Sequence, residues 1–292
     1  MDDLLKEIRR LNANLERLTD YFVPSRDPAI LGRYRAFRSF SQNNRLCFRG
    51  IPEPDPVGFE ELRGINPVIE RLIENTEQFL EGLPANNVLL YGPRGTGKSS
   101  AIKALLNRYR KRGLKMIEMP RETLFHLPDV AEILRGRPER FIIFCDDLAF
   151  EEEEVSYREL KAVLEGGLEM RPHNMLIYAT SNRRHLMPER PEDNLPVLSG
   201  GELHPAETME EKLSLSDRFG LRLGILNFDL ETYLDIVSHY AAARRITILP
   251  EDLKKKATQW SLSHGSFSGR TARQFVDDLE GRVGMKRPNE KA

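Results

Sequence analysis

The chain has 292 residues, 40% of them hydrophobic and 30% charged, with a formal net charge of −1. That length holds one large domain, or a core with a small accessory domain, and the near-zero charge excludes a global pull toward nucleic acid or anionic membrane. Two cysteines exclude a disulfide framework, no apolar run reaches membrane-span length, and the acidic, amphipathic start does not read as a signal peptide, so the cytoplasm is the expected compartment.

The first segment places Leu4, Ile8, Leu11, Leu15, Leu18 and Phe22 at alternating spacings of four and three, an apolar seam on a helix that Pro24 ends. Such a seam serves equally for docking on the protein's own core or for self-association. Residues 28–50 follow with five arginines and no acidic residue, interleaved with Tyr34, Phe37, Phe40 and Phe48. Two readings fit: a helix with core-facing aromatics and snorkelling arginines, or a grip on DNA through Arg33–Arg49. The proline-punctuated IPEPDPVGFEEL then leads into the main domain.

From there strands and helices alternate. Apolar runs at Asn87–Tyr91, Lys115–Met119, Phe141–Cys145, Met175–Thr180 and Leu221–Phe228 predict five strands, separated by amphipathic segments such as SSAIKALLNRYRKR. Continuously apolar strands alternating with helices predict a parallel sheet covered on both faces. After Phe228 three segments have helical period and no strand, predicting a small all-helical C-terminal domain. The loop LMPERPEDNLPVLSGGELHPAE, rich in proline, glycine and charge, reads as an exposed insertion and a candidate partner contact.

NVLLYGPRGTGKSS is the most informative stretch. Gly92, four residues, then Gly97-Lys98-Ser99 matches the phosphate-binding P-loop, with a strand before it and a helix after. Glycines let backbone N–H groups approach phosphate oxygens, and the helix presents its positive end to the same anion. The expected phosphate contacts are Gly92, Pro93, Arg94, Gly95, Thr96, Gly97, Lys98, Ser99 and Ser100. Lys98 reaches the terminal phosphates, and the Ser99 hydroxyl ligates Mg2+. The strand Phe141–Cys145 ends at Asp146, the expected second Mg2+ ligand.

This order of motifs resembles the AAA+ ATPases. The resemblance implies that Asn182, in LIYATSNRRHL, orients the attacking water. It implies that Arg218, in LSLSDRFGLRL, reaches into a neighbouring subunit's ATP, and that Arg270 or its rival Arg273, in GSFSGRTARQF, contacts the γ-phosphate from the lid. Phe59–Ile65 and Arg218–Leu221 are the expected flanks of the adenine. From about Phe59 to Val283 the chain looks like a bacterial AAA+ family known mainly as a domain of unknown function. Many such ATPases follow the metal-binding aspartate with a glutamate that activates water, whereas here the next residue is Asp147, with Glu151 as the other candidate. The Asp-Asp pair also resembles replication initiators and helicase loaders.

The expectation is therefore an α/β P-loop NTPase: a three-layer αβα sandwich on a five-stranded parallel sheet, with a helical lid and an N-terminal helical extension. Residues 1–58 form the extension, 59–228 the ATPase core and 229–292 the lid. The expected activity is slow, Mg2+-dependent ATP hydrolysis, gated by assembly into a homo-oligomeric ring or filament and used to switch or remodel an unidentified protein client. Lys98, Asp147, Asn182 and Arg218 form the catalytic set. The alternative is a nucleotide-controlled, DNA-associated binding module with little turnover.

Overall fold

A computed structural model of the chain describes residues 4–8, 10–11, 14–15, 27–149, 155–165, 171–183, 186, 197–199, 202–204 and 215–286. Its strands are β1 (Ala36–Gln42), β2 (Arg45–Ile51), β3 (Val88–Tyr91), β4 (Leu114–Glu118), β5 (Arg140–Cys145), β6 (Met175–Ser181), β7 (Val197–Ser199), β8 (Glu202–His204) and β9 (Leu221–Gly224). The helices are α1 (Asn66–Leu80), α2 (Lys98–Arg108), α3 (Leu127–Leu134), α4 (Val155–Glu165), α5 (Leu230–Ala243), α6 (Pro250–His264) and α7 (Gly269–Lys286).

One sheet organises the molecule, in the order β2-β1-β4-β5-β6-β3-β9. All five expected strands are present and parallel to their neighbours, but the sheet has seven strands, not five. The two additions are β1, parallel to β4, and β2, antiparallel to β1. They come from the arginine-rich stretch whose pattern suggests a helical extension.

The physical reason lies at Asn43-Asn44. Both residues have positive φ, 52° and 56°, and Gln42 pairs with Arg45 across them. Two left-handed residues in a two-residue loop match the twist of a hairpin, and asparagine tolerates that conformation. Within the hairpin Phe37 and Phe48 are buried. Arg38 makes a two-pronged pair with Glu118, at 3.0 and 2.8 Å, and Arg49 lies 4.4 Å above the Phe40 ring. These two arginines therefore serve the protein's own fold, which weakens the reading of the segment as a DNA grip.

Successive residues of the central strands point to opposite faces, and both faces are apolar. Val88 and Leu90 of β3, with Ile142 and Phe144 of β5, pack with Leu72 and Phe79 of α1 and Ile102 and Leu105 of α2. Leu89, Phe141 and Ile143 face the other way, onto Leu127, Val130 and Leu134 of α3 and Leu160 of α4. Double-sided burial is why these strands read as unbroken apolar runs. The described chain after Gly224 contains only helices, α5 to α7. Strand β9 stops at Gly224, short of the expected Phe228, because the chain leaves the sheet after Ile225 N–H donates to Tyr91 O at 2.8 Å.

Cys145 and Cys47 are both fully buried. Burial, with the adjacent Asp146 charge, pushes the Cys145 thiol up to about 12. The thiolate is the reactive form, so neither cysteine of the native protein is expected to react with Ellman's reagent at pH 8 within minutes, whereas both react in guanidinium. Rapid native labelling of Cys145 would contradict this packing.

At the N-terminus Leu4, Ile8, Leu11 and Leu15 are helical and exposed. Leu18 and Phe22 lie outside the described residues, as does most of the predicted insertion, of which β7 and β8 form an antiparallel pair. Among the described residues no helix is long and apolar enough to cross a membrane.

Candidate nucleotide site

The site lies at the carboxyl ends of the parallel strands, where β3, β5 and β6 deliver the P-loop, Asp146 and Asn182 to one place. Ligands of open α/β sheets bind at this end because the loops and helix N-termini gather there. A cavity of about 550 Å³ opens between these loops and helices α5 and α7.

The P-loop backbone is shaped by contacts only glycine allows. Gly92 has φ 143°, and a Cβ there would sit 2.2 Å from Ile225 O. Gly95 has φ 76°, and a Cβ there would press on Ser268 and Arg270 at the start of α7. The same Gly95 accepts a bond from Arg270 N–H at 3.3 Å, so α7 is seated directly on the loop. The N-terminus of α2 follows at Lys98.

Lys98 is only 7% exposed. Its ammonium donates to Gly92 O and Pro93 O, each at 2.7 Å, and to Asn182 Oδ1 at 3.1 Å. Burial pushes its pKa below the ordinary lysine range against the pull of Asp147 and Asp146, and the positive charges of Arg270 and Arg94 push it the same way as burial. Six cations line the cavity (Arg63, Arg94, Lys98, Lys103, Arg270, Arg273) against three carboxylates (Glu61, Asp146, Asp147). A cavity with surplus positive charge and a desolvated lysine favours an anion.

The two aspartates are exposed and tied into one network. Asp146 Oδ1 accepts from Ser99 Oγ at 2.5 Å and from Thr180 Oγ1 at 2.6 Å. Asp147 has φ 52°; its N–H donates to Thr180 Oγ1 at 2.9 Å and its Oδ1 accepts from Asn182 Nδ2. A left-handed residue other than glycine is most often asparagine or aspartate, which gives a local reason for aspartate at this position.

These observations test the fit of a Mg2+–nucleotide. A glycine-rich loop, a helix N-terminus, a buried lysine and a hydroxyl beside a carboxylate are the groups such a ligand requires. Among the described residues no cluster of three or more His, Cys, Asp or Glu could cage a metal. Mg2+ takes one or two carboxylates and completes its shell from water and phosphate, and Asp146 beside the Ser99 hydroxyl offers such a carboxylate. The residues fit.

Of the sequence-predicted residues, Arg94 to Ser100, Asp146, Asp147, Asn182, Arg270 and Arg273 all line the cavity. Gly92 and Pro93 contribute their carbonyls to Lys98. Arg218 does not line it; it sits exposed on the turn before buried Phe219. Glu151 lies outside the described residues. Glu61, Leu62 and Arg63 fall within the expected adenine flank, but Arg218–Leu221 is absent from the lining, and its place is taken by Phe228, Ile236 and Tyr240. Ile236 and Tyr240 stand one turn apart on α5, a spacing visible in sequence, yet only the docking of α5 directs them here. Thr180 was legible as a strand end but not as a site residue.

Over residues 32–283 the chain matches the family described as "Protein of unknown function (DUF815)". It is 42% identical over 59 residues to proteasome-activating nucleotidase 2 of Haloferax volcanii, a stretch covering 20% of this chain and 14% of that protein. Its fold is similar to the Thermotoga maritima RuvB Holliday junction branch migration motor, with a TM-score of 0.55 and 16% identity, over 80% of this chain and 67% of that one. A point mutant of the same motor gives a TM-score of 0.54 at 17% identity, over 80% and 68% of the two chains. With that family model spanning most of the chain, the protein belongs to the DUF815 family, and its fold is similar to that of the RuvB motor.

Proposed function

We propose that the protein binds Mg2+–ATP and hydrolyses it slowly, in an assembly of like subunits, to switch or remodel a protein client. The observation that carries this reading is the convergence of Lys98, Ser99, Asp146, Asp147 and Asn182 in one hydrogen-bonded network at the mouth of the P-loop. Residues 59–228, joined by the β1–β2 hairpin that extends their sheet, act as the ATPase core and 229–292 as its lid.

In this reading the P-loop amides and Lys98 hold the β- and γ-phosphates, while Ser99 and Asp146 hold the metal, which neutralises phosphate charge when bound. Asp147 accepts the proton of the attacking water as its oxygen bonds to the γ-phosphorus and the bond to the ADP oxygen breaks. Asn182 fixes the direction of that carboxylate. Arg270 and Arg273 supply positive charge from α7, and Phe228, Ile236 and Tyr240 offer the base an apolar wall. Aspartate is one methylene shorter than glutamate, roughly 1.5 Å, and its carboxylate is already engaged by Asn182; both favour slow turnover.

Arg218, exposed and outside its own chain's cavity, is assigned to the neighbouring subunit's site. An arginine supplied in this way is worth about 10³–10⁵ in rate. Each working site then needs Lys98 from one chain and Arg218 from the next. Arg218→Ala and Lys98→Ala proteins should each release phosphate near background. An equal mixture assembling at random head to tail should recover about a quarter of wild-type activity. No recovery at any ratio would remove the shared site, and wild type releasing no phosphate at any concentration would remove the ATPase.

A further inference from the structure

Thr180, at the end of β6, is 1% exposed and lies between the two aspartates. Its hydroxyl donates to Asp146 Oδ1 at 2.6 Å and accepts the Asp147 N–H at 2.9 Å. A hydroxyl has one proton to give, so these two bonds determine where the proton points: toward the carboxylate. The backbone of the same residue takes part as well, since Thr180 O accepts Leu148 N–H at 2.7 Å. Residues 146–148 are therefore pinned to β6 by both the side chain and the main chain of Thr180, across the point where the chain turns through positive φ at Asp147.

The consequence for Asp146 is directional. Ser99 Oγ and Thr180 Oγ1 both donate to Oδ1. Thr180 is the buried member of that pair and the one on a strand, so it supplies the fixed reference, while Ser99 stands on the P-loop side. As a β-branched residue threonine is stiff at χ1, which fixes the direction of its hydroxyl.

We propose that Thr180 is the positioning residue of the site: one buried hydroxyl orients the metal-binding carboxylate of Asp146 and holds the backbone of Asp147 in the turn from which its carboxylate meets Asn182. It lines the cavity and acts through the two aspartates. The inference rests on the reading of this cavity as a Mg2+–nucleotide site.

The test uses the full chain and a readout independent of turnover: the affinity for mant-AMPPNP in EDTA and in saturating Mn2+, whose ratio measures the metal-linked gain. Loss of an outer-shell partner of a metal ligand weakens metal binding by about 10- to 100-fold. Thr180→Val should therefore cut the Mn2+-linked gain by about tenfold or more and leave the EDTA affinity within about twofold of wild type. Thr180→Ser, which keeps the hydroxyl, should restore most of the gain. If the valine protein does not fold, Thr180→Cys is read the same way, because a thiol is too weak a hydrogen-bonding group to replace the hydroxyl. A wild-type metal-linked gain in the valine or cysteine variant overturns the proposal, as does an equal loss in EDTA and in Mn2+, which marks a merely structural residue. Wild type that binds no mant-AMPPNP at all overturns the nucleotide-site reading, and Thr180's role with it.

Discussion

Lys98→Ala is expected to weaken mant-AMPPNP binding by two to three orders of magnitude while leaving the free protein folded. The size follows from what the ammonium meets. In the free protein it is buried, donates to two P-loop carbonyls and to Asn182, and has its pKa pushed down by that burial. Truncating one partner of a desolvated, hydrogen-bonded charge pair costs about 2–5 kcal/mol, and about 3–4 kcal/mol corresponds to the stated loss of affinity. The stability effect has the opposite sign. A lysine whose folded pKa lies below its unfolded value disfavours the folded state while charged. Across the interval from the depressed pKa up to the ordinary lysine value the unfolded chain binds more protons, so stability rises with pH there. Lys98→Ala removes this dependence. Its melting temperature at neutral pH should match or exceed that of wild type, and its stability should rise less steeply at alkaline pH. Unchanged nucleotide affinity, measured by fluorescence titration, would show that the cavity is not built around this lysine.

The same lysine explains how far the site was legible from sequence. Gly92, Lys98, Ser99 and Asp146 carry their chemistry in residue type and spacing, because strand, loop and helix must succeed one another for the backbone to wrap an anion. Asn182 and Arg270 followed from a resemblance, and both line the cavity. The apolar wall was less accessible. Phe228, Ile236 and Tyr240 belong to a segment whose pattern announces only a helix and its approach; their meeting with the P-loop depends on how α5 and α7 dock, recorded in the Arg270–Gly95 contact.

The hairpin was hidden for a different reason. Tyr34, Phe37 and Phe40 recur at a spacing of three, which imitates a helical face, while the hairpin signal is confined to Asn43-Asn44. Asparagine pairs adopt positive φ readily enough to serve as turn residues, but without the flanking alternation in view the pair reads as an ordinary polar loop. Once β1 joins β4, the arginines acquire local partners, and a stretch that resembled a nucleic-acid grip becomes the edge of the sheet.

Asp147→Asn should lower the rate of phosphate release by about 10²–10⁴, the usual contribution of a positioned general base, and leave mant-AMPPNP affinity within about threefold. Asparagine is as much at home at φ 52° as aspartate, so the turn, the Thr180 contact to the Asp147 N–H and the fold are retained; what is lost is the proton acceptor. The more discriminating substitution is Asp147→Glu, which installs the residue that the resemblance to AAA+ ATPases leads one to expect there. If the short side chain were simply a defect, glutamate would accelerate turnover. The geometry argues otherwise. Glutamate lacks aspartate's tolerance of the left-handed region, a penalty of roughly 1 kcal/mol, and its added methylene moves the carboxylate about 1.5 Å from the oxygen position that now meets Asn182. Asp147→Glu is therefore expected to melt earlier and to release phosphate no faster than wild type. A faster glutamate variant would mean that reach, not the turn, limits the rate. An Asp147→Asn protein with wild-type turnover would instead remove Asp147 as the base and transfer that role to Glu151. The pairing of aspartate with positive φ makes the short carboxylate part of how this turn is built, so slow hydrolysis would follow from the fold itself rather than from the loss of a glutamate.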